Sequence, residues 1–132
     1  MNKSKFKILI AEDSVAIAFG YKTRLESQGH TVFVAIDGKT ELDIYEKEFE
    51  NCPPGETPFD LILSDNSMPG MNGTDAGKKI LELVPNQKFF FVTGEKDLIL
   101  DAFHVDGKNI DVEQKPFDID LLMEKIKNML KN

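Results

Sequence analysis

The sequence is poor in cysteine and in long hydrophobic runs. Its one cysteine, Cys52, cannot form an internal disulfide and has no neighbouring ligands at metal-binding spacing. No apolar run approaches the roughly 18 residues that a membrane-spanning helix needs. The apolar stretch near the N-terminus is too short for a signal peptide and has no small-residue cleavage site. We therefore expect a cytoplasmic protein with no part in a membrane.

Clustered positive charge is also missing. The chain has 23 acidic against 16 basic residues and a net charge of −7, without a basic patch. Because nucleic-acid binding requires such a patch, direct contact with DNA or RNA is not expected. A length of 132 residues suits one domain with a core of its own. The proline-rich segment 51–58 is predicted to be a loop inside this single domain, 1–132.

Strand-like and helix-like segments alternate along the chain five times. The predicted strands, rich in β-branched, aliphatic and aromatic residues, are Phe6–Ala11, Thr31–Ala35, Phe59–Ser64, Lys88–Val92 and Ile110–Glu113. Apolar residues at helical spacing follow each strand: Val15, Ala18, Tyr21 and Leu25; Leu42, Tyr45 and Phe49; Ala76, Ile80 and Leu83; Leu98, Ala102 and Val105; Ile119, Leu122, Ile126 and Met129. This pattern predicts an α/β fold: a doubly wound, flavodoxin-like, five-stranded parallel sheet in the order 2-1-3-4-5 with five helices.

Polar residues of several kinds occur where the predicted strands end. Glu12 and Asp13 follow the first strand, and Asp65 follows the third, directly before a turn over 66–73. Thr93 ends the fourth strand and Lys115 follows the fifth. Each of them alone is typical of a turn or a helix cap. Because the carboxyl ends of parallel strands share one edge of a sheet, we expect all five side chains to meet in one crevice.

The chemistry of such a cluster points to a metal and a phosphoryl group. Three neighbouring carboxylates repel one another, and a divalent cation relieves that repulsion. Oxygen-only ligands suit Mg²⁺, and Mn²⁺ as a second choice. Lys115 would add a fixed positive charge and Thr93 a hydroxyl donor. A carboxylate that attacks phosphorus in this setting gives an acyl phosphate.

These residues and their spacing resemble a response-regulator receiver domain, the phosphoacceptor module of two-component signalling. The resemblance covers essentially the whole chain. It rests on the acidic pair Glu12-Asp13, on Asp65 with the string Ser67-Met68-Pro69-Gly70-Met71-Asn72-Gly73, on Thr93, and on Lys115-Pro116-Phe117. The Asp-x-x-Met-Pro-x-Met-Asn-Gly string is specific for this family.

The resemblance implies a role for each matching residue. Asp65 would accept a phosphoryl group from a sensor histidine kinase or phosphotransfer protein, and a downstream protein would read the result. Glu12, Asp13, Asp65 and the backbone carbonyl of Ser67 would hold Mg²⁺. Lys115 would pair with Asp65 and then with the phosphoryl group. The resemblance implies no enzyme beyond weak Mg²⁺-dependent self-phosphorylation and self-dephosphorylation.

Two further implications concern lifetime and switching. Ser67 and Glu95 stand two residues after Asp65 and Thr93, where the family's side chains flank the path of attacking water and tune phosphoryl lifetime. Thr93 would draw its loop inward after phosphorylation. Many members have Tyr or Phe three residues before the lysine, where this chain has Val112. A valine has no ring to move, so the usual partner of Thr93 in the switch is absent.

Three alternatives compete with a phosphorylated receiver. Val112 favours a receiver-like interaction module that works without phosphorylation. An enzyme of the haloacid-dehalogenase type requires Asp-x-Asp, where this chain has Asp65-Asn66-Ser67. A flavodoxin requires a Ser/Thr/Gly-rich phosphate loop where Glu12 and Asp13 would repel the phosphate. The sequence does not distinguish a single-domain regulator from a receiver cut out of a longer chain.

Overall fold

A computed structural model describes residues 4–65 and 71–131. Strands and helices alternate along the chain: β1 (Lys7–Ala11), α1 (Val15–Ser27), β2 (Thr31–Ala35), α2 (Gly38–Glu50), β3 (Leu61–Asp65), α3 (Gly73–Leu83), β4 (Phe89–Thr93), α4 (Lys96–Ala102), β5 (Ile110–Gln114) and α5 (Ile119–Lys131). The strands form one parallel sheet in the order β2-β1-β3-β4-β5. The predicted fold class, strand order and number of helices are confirmed. None of the helices in the described ranges combines the length and apolar character needed to cross a membrane.

Four helices start at side chains that accept hydrogen bonds from the first helical turn. At the starts of α1, α2, α3 and α5, the backbone N–H three residues later donates to the side chain of Ser14, Asp37, Asn72 and Asp118, respectively. Such caps satisfy N–H groups that have no partner within the helix. Each cap directly follows a strand–helix connection, so the caps fix where the chain turns back across the sheet.

Alternate residues of each strand supply two separate core layers. Ile8, Ile10, Leu61 and Leu63 belong to the layer that α1 and α5 cover. The intervening Leu9 and Ile62 belong to the layer that α2, α3 and α4 cover, together with Phe89 and Phe91 of β4. Strands covered on both sides need apolar residues at every position, which explains the continuous hydrophobic runs in the sequence.

The buried faces of the helices differ in part from the prediction. Val15, Phe49, Leu83 and Leu98 were expected in the core and are instead exposed, by 73%, 40%, 43% and 50%. The first two lie in terminal turns of 13-residue helices, which at about 20 Å are longer than the strands beneath them. At the other two positions, the next residue along the chain is buried instead: Val84, directly after α3, and Ile99 in α4.

Candidate functional site

Asp65 is the last residue of β3, the central strand of the sheet. Its Cα pairs with that of Val92 on β4, and the preceding residue, Ser64, pairs with Ala11 on β1. The Asp65 side chain is only 5% exposed, and its Oδ2 lies 3.3 Å from Nζ of Lys115. The central strand therefore delivers a carboxylate into the edge of the sheet, where a lysine from β5's carboxyl end already faces it.

Glu12 and Asp13 bring two more carboxylates to the same edge. The Glu12 N–H donates to the Ala35 carbonyl over 2.9 Å, which extends β1 alongside β2 by one residue. The buried side chain of Glu12 accepts a hydrogen bond from the Ser14 N–H, while Asp13 is exposed. Carboxylate oxygens of Glu12, Asp13 and Asp65 all lie within 4.8 Å of one another. Three oxygen donors this close match the ligands that a hard divalent cation prefers.

The electrostatics of the cluster also fit a cation. Burial is the main reason that the pKa of Glu12 is raised to about 7. A hydrogen bond with Asp13 and the negative charge of Asp65 raise this pKa further. The hydrogen bond from the Ser14 N–H and the positive charge of Lys115 lower it. Without a cation, burial and the neighbouring carboxyl groups therefore disfavour the ionised form of Glu12. A divalent ion held by the three carboxylates would relieve that cost.

Thr93 ends β4 next to this cluster and is fully buried. Its Oγ1 accepts from the Glu95 N–H over 3.0 Å, and its carbonyl accepts from the Lys115 N–H over 2.7 Å. Glu95 is exposed and stands at the N-cap of α4, where its side chain makes no capping hydrogen bond to the described residues. Thr93 is thus tied by its hydroxyl to its own loop and by its carbonyl to the end of β5.

The structure brings most of the predicted site residues to one edge of the sheet. Glu12, Asp13, Asp65 and Lys115 meet directly, and Thr93 ends the strand beside Asp65. Val112 lies in β5 and packs in the core layer beneath α2, α3 and α4. Ser67, predicted as a backbone metal ligand and as a tuning position, lies outside the described residues.

One residue with polar contacts at this edge was missed in the sequence. Gln114 was placed after the end of the last strand, whereas β5 includes it. Its side chain bonds to the backbone on both sides of Glu95, at Gly94 and Lys96. Its position in the sequence could have identified it, because Gln114 is a polar residue directly before Lys115 at the end of a predicted edge strand.

Comparison with known proteins identifies the class of protein. The family model described as "response regulator receiver domain" matches residues 8–127. The chain belongs to this family, and it is a receiver domain of the two-component response regulators. Receiver domains are signalling domains rather than enzymes in the usual sense.

Individual relatives agree with this assignment. The chain is 32% identical to the chemotaxis protein CheY of Treponema pallidum, over 98% of this chain and 86% of the relative. It is 30% identical to the sporulation initiation phosphotransferase F of Bacillus subtilis, over 94% of this chain and 93% of the relative. Among solved structures, it resembles the response regulator TrrA of Thermotoga maritima in complex with Mg²⁺ and BeF, with a TM-score of 0.70 and 25% identity, covering 93% of this chain and 97% of TrrA.

Proposed function

We propose that Asp65 accepts a phosphoryl group in a Mg²⁺-dependent reaction and that the modified domain switches its binding to a downstream protein. The observation that carries the proposal is the convergence on Asp65. A buried carboxylate at the end of the central strand faces a lysine ammonium and stands beside two further carboxylates, and these groups come from three separate parts of the chain. An isolated turn aspartate would need none of these neighbours.

Glu12, Asp13 and Asp65 are the proposed ligands of the cation. Mg²⁺ accepts few protein oxygens and keeps several waters, which suits a cluster that opens to solvent at Asp13. When bound, the ion supplies positive charge for the carboxylates and for the incoming phosphoryl oxygens. The Mg²⁺–BeF complex of the related TrrA supports this choice. The Ser67 carbonyl is a further proposed ligand from the family resemblance.

The reaction itself needs little from the protein beyond positioning and charge. An oxygen of the Asp65 carboxylate attacks phosphorus, the bond from phosphorus to the donor breaks, and its electron pair leaves with the donor group. Lys115, already 3.3 Å from Asp65, balances negative charge on the transferred oxygens. The Thr93 hydroxyl, at the adjacent strand end, would donate a hydrogen bond to one of them.

The proposed phosphoryl donors are a sensor histidine kinase or a phosphotransfer protein. Relatives that include a sensor kinase and a phosphotransferase support this donor class. Weak self-phosphorylation from small acyl phosphates is also part of the proposal, because the acceptor carboxylate, the proposed cation ligands and the lysine all belong to this chain. Hydrolysis of the acyl phosphate returns the domain to its starting state, and Ser67 and Glu95 are the proposed positions that set its rate.

A second candidate function rests on Val112. If the missing aromatic ring means that the switch is lost, the domain would bind its partner without phosphorylation. The two candidates differ in whether occupation of the acceptor site changes the conformation of the β4–α4 loop, residues 94–95. We favour the phosphorylated switch, and the contact between Asp65 and Lys115 together with the position of Thr93 at the adjacent strand end supports it.

Beryllofluoride, a stable mimic of the phosphoryl group, tests the proposal. We expect amide NMR signals around Thr93 and Lys115 to shift when wild-type protein receives Mg²⁺ and beryllofluoride. The Asp65→Asn variant should show no saturable shift, because it lacks the carboxylate that binds beryllium. Asp43→Asn, which removes an exposed carboxylate on α2, should respond as the wild type does. Equal responses in wild type and Asp65→Asn would refute the acceptor role.

A further inference from the structure

The side chain of Gln114 links the end of β5 to the β4–α4 loop. Its Nε2 donates to the Gly94 carbonyl over 2.5 Å, and its Oε1 accepts from the Lys96 N–H over 2.8 Å. One amide group thereby holds the backbone on both sides of Glu95. We call this pair of hydrogen bonds the loop clamp.

The loop clamp is part of a continuous hydrogen-bonded unit that reaches the acceptor site. Glu95 N–H donates to the Thr93 hydroxyl, and Lys115 N–H donates to the Thr93 carbonyl. Lys115, the residue after Gln114, extends its ammonium to Asp65. A displacement of Thr93 relative to β5 therefore acts on the clamp through only one or two residues of backbone.

The clamp also supplies a partner that α4 does not provide for itself. Lys96 is the first residue of α4, and its N–H is one of the groups that a helix leaves without an internal acceptor. The side chain of Glu95, at the N-cap, makes no capping hydrogen bond to the described residues. Gln114 Oε1 takes that place from the neighbouring strand, so the start of α4 is fixed to β5.

Val112 cannot couple Thr93 to the β4–α4 loop in this way. It is buried in the core layer with Phe91 and Ile99, two positions before Gln114 on the same strand. A valine side chain has no polar atom with which to follow the Thr93 hydroxyl and no ring that could change position. Gln114 is exposed, polar and directly bonded to the loop that Thr93 controls.

We propose that Gln114 is a positioning residue that holds the β4–α4 loop in its unphosphorylated arrangement and couples Thr93 to α4. The inference rests on the proposed phosphoryl transfer to Asp65. When Thr93 moves toward a phosphoryl group, Gly94 and Lys96 are drawn away from Gln114 and the loop clamp opens. The clamp therefore opposes the phosphorylated arrangement, and its release frees the first turn of α4, where Leu98 lies half-exposed. A change at Asp65 reaches the surface by this route.

Removing the clamp should make the acceptor site easier to occupy. We expect Gln114→Ala to bind beryllofluoride, with Mg²⁺ in excess, about three- to tenfold more tightly than wild type, as the loss of one or two modest hydrogen bonds in the competing state predicts. Gln114→Leu should give the same result, because it retains the side-chain volume and removes the amide. Gln28→Ala, which removes the same exposed amide group from the opposite edge of the sheet, should change the affinity by less than about twofold.

Amide hydrogen exchange without Mg²⁺ or beryllofluoride provides a second readout. The Lys96 N–H should exchange about three- to tenfold faster in Gln114→Ala than in wild type, because its acceptor is gone. Unchanged exchange would overturn the clamp whatever the affinities are. The thermal midpoint of the variant should fall by no more than a few degrees, since the clamp contributes only one or two modest hydrogen bonds to the folded state.

The outcomes separate this inference from the proposed function. If wild type binds beryllofluoride and Gln114→Ala binds it equally or more weakly, the clamp does not oppose the switch and the inference alone is wrong. If wild type does not bind beryllofluoride, the proposed acceptor role of Asp65 is wrong. The role of Gln114 in the switch is then wrong as well, because it depends on that acceptor role.

Discussion

Glu41 is the residue that fits least well into its surroundings. It lies in the first turn of α2 with no exposed surface, and neither carboxyl oxygen has a hydrogen-bond partner within 4–65 or 71–131. Burial raises the pKa of Glu41 to about 8. An ionised carboxylate in such a place would be strongly unfavourable, so the folded protein holds Glu41 protonated at neutral pH.

This raised pKa predicts a pH-dependent stability. The folded state keeps a proton that the unfolded state releases above pH 4.5, so the free energy of unfolding should fall as the pH rises from about 4.5 to about 8. The fall should be on the order of a few kcal/mol, at about 1.4 kcal/mol for each unit of pKa difference. In Glu41→Gln, whose side chain at this position carries no charge at any pH, the fall in the free energy of unfolding should be much smaller. Urea unfolding across this range, with chelator present, makes the comparison.

Glu12 also has a raised pKa and contributes a fall in the same direction. Because Glu12 is present in both proteins, the difference between wild type and Glu41→Gln isolates Glu41. Parallel pH profiles for the two proteins would show that Glu41 is not protonated in the folded state. Neither buried carboxyl group was identified as such from the sequence, because burial of one residue depends on the packing of several elements.

Glu95 is the residue best placed to act on the lifetime of the acyl phosphate. It is exposed beside Thr93, and its side chain makes no capping bond to the described part of the chain. If it orients water, dephosphorylation of Glu95→Ala should be roughly two- to tenfold slower, below the effect of a full general base. Decay of the phosphorylated protein after removal of the donor measures this. Asp97→Ala, which removes an exposed carboxylate from the first turn of α4, is the matched control. Equal lifetimes in all three proteins would exclude Glu95.

At the scale of elements, α2 is positioned by a close backbone contact. The N–H of Gly38, the first residue of α2, donates to the Met71 carbonyl over 3.1 Å. A Cβ at this position would lie 2.1 Å from that carbonyl oxygen. Only glycine allows α2 to approach the backbone at Met71 this closely.

Gly38→Ala should therefore destabilise the domain by about 1–3 kcal/mol, because backbone must shift to relieve the contact. Gly20→Ala is the matched control. Gly20 lies inside α1 with no described atom within 4 Å of an added Cβ, and alanine there should stabilise by about 0.5–1 kcal/mol. Urea unfolding of both variants tests the pair. An unchanged stability in Gly38→Ala would contradict the proposed close contact.

The elements show which sequence signals are reliable in this chain. Strand positions followed from continuous apolar runs such as Leu61–Leu63, because strands covered on both faces leave no polar positions. Helix faces were less certain. Leu98 and Ile99 are adjacent and both apolar, and only the packing of α4 against β4 and β5 decides that Ile99 is buried. The sequence had predicted a longer α4 that reached Val105, whereas it ends at Ala102.

At the scale of the whole molecule, the site follows from topology. Parallel strands in the order 2-1-3-4-5 put the ends of β1, β3, β4 and β5 side by side, so the meeting of Glu12, Asp65, Thr93 and Lys115 was predictable once the fold was. The loop clamp was not, because it depends on the conformation of one exposed glutamine. Its existence changes how the domain is expected to transmit a change at Asp65.

The acidic cluster should link the stability of the whole domain to Mg²⁺. An ion that binds only the folded state stabilises it by about 2.7 kcal/mol at a concentration 100 times its dissociation constant. We therefore expect Mg²⁺ to raise the thermal midpoint of wild type. Mg²⁺ should have much less effect on the thermal midpoint of Asp13→Asn, which lacks one of the three proposed ligands. Asp43→Asn should respond as wild type, and an equal response in Asp13→Asn would place the ion elsewhere.

The central claim is that Asp65 accepts a phosphoryl group, and intact-protein mass spectrometry after incubation with acetyl phosphate tests it most directly. With Mg²⁺, wild type should gain the mass of one phosphoryl group, and reductive trapping should locate it at Asp65. The gain should disappear with chelator and in Asp65→Asn, and should remain in Asp43→Asn. A gain of equal size in Asp65→Asn, or none in wild type with Mg²⁺ present, would contradict the account.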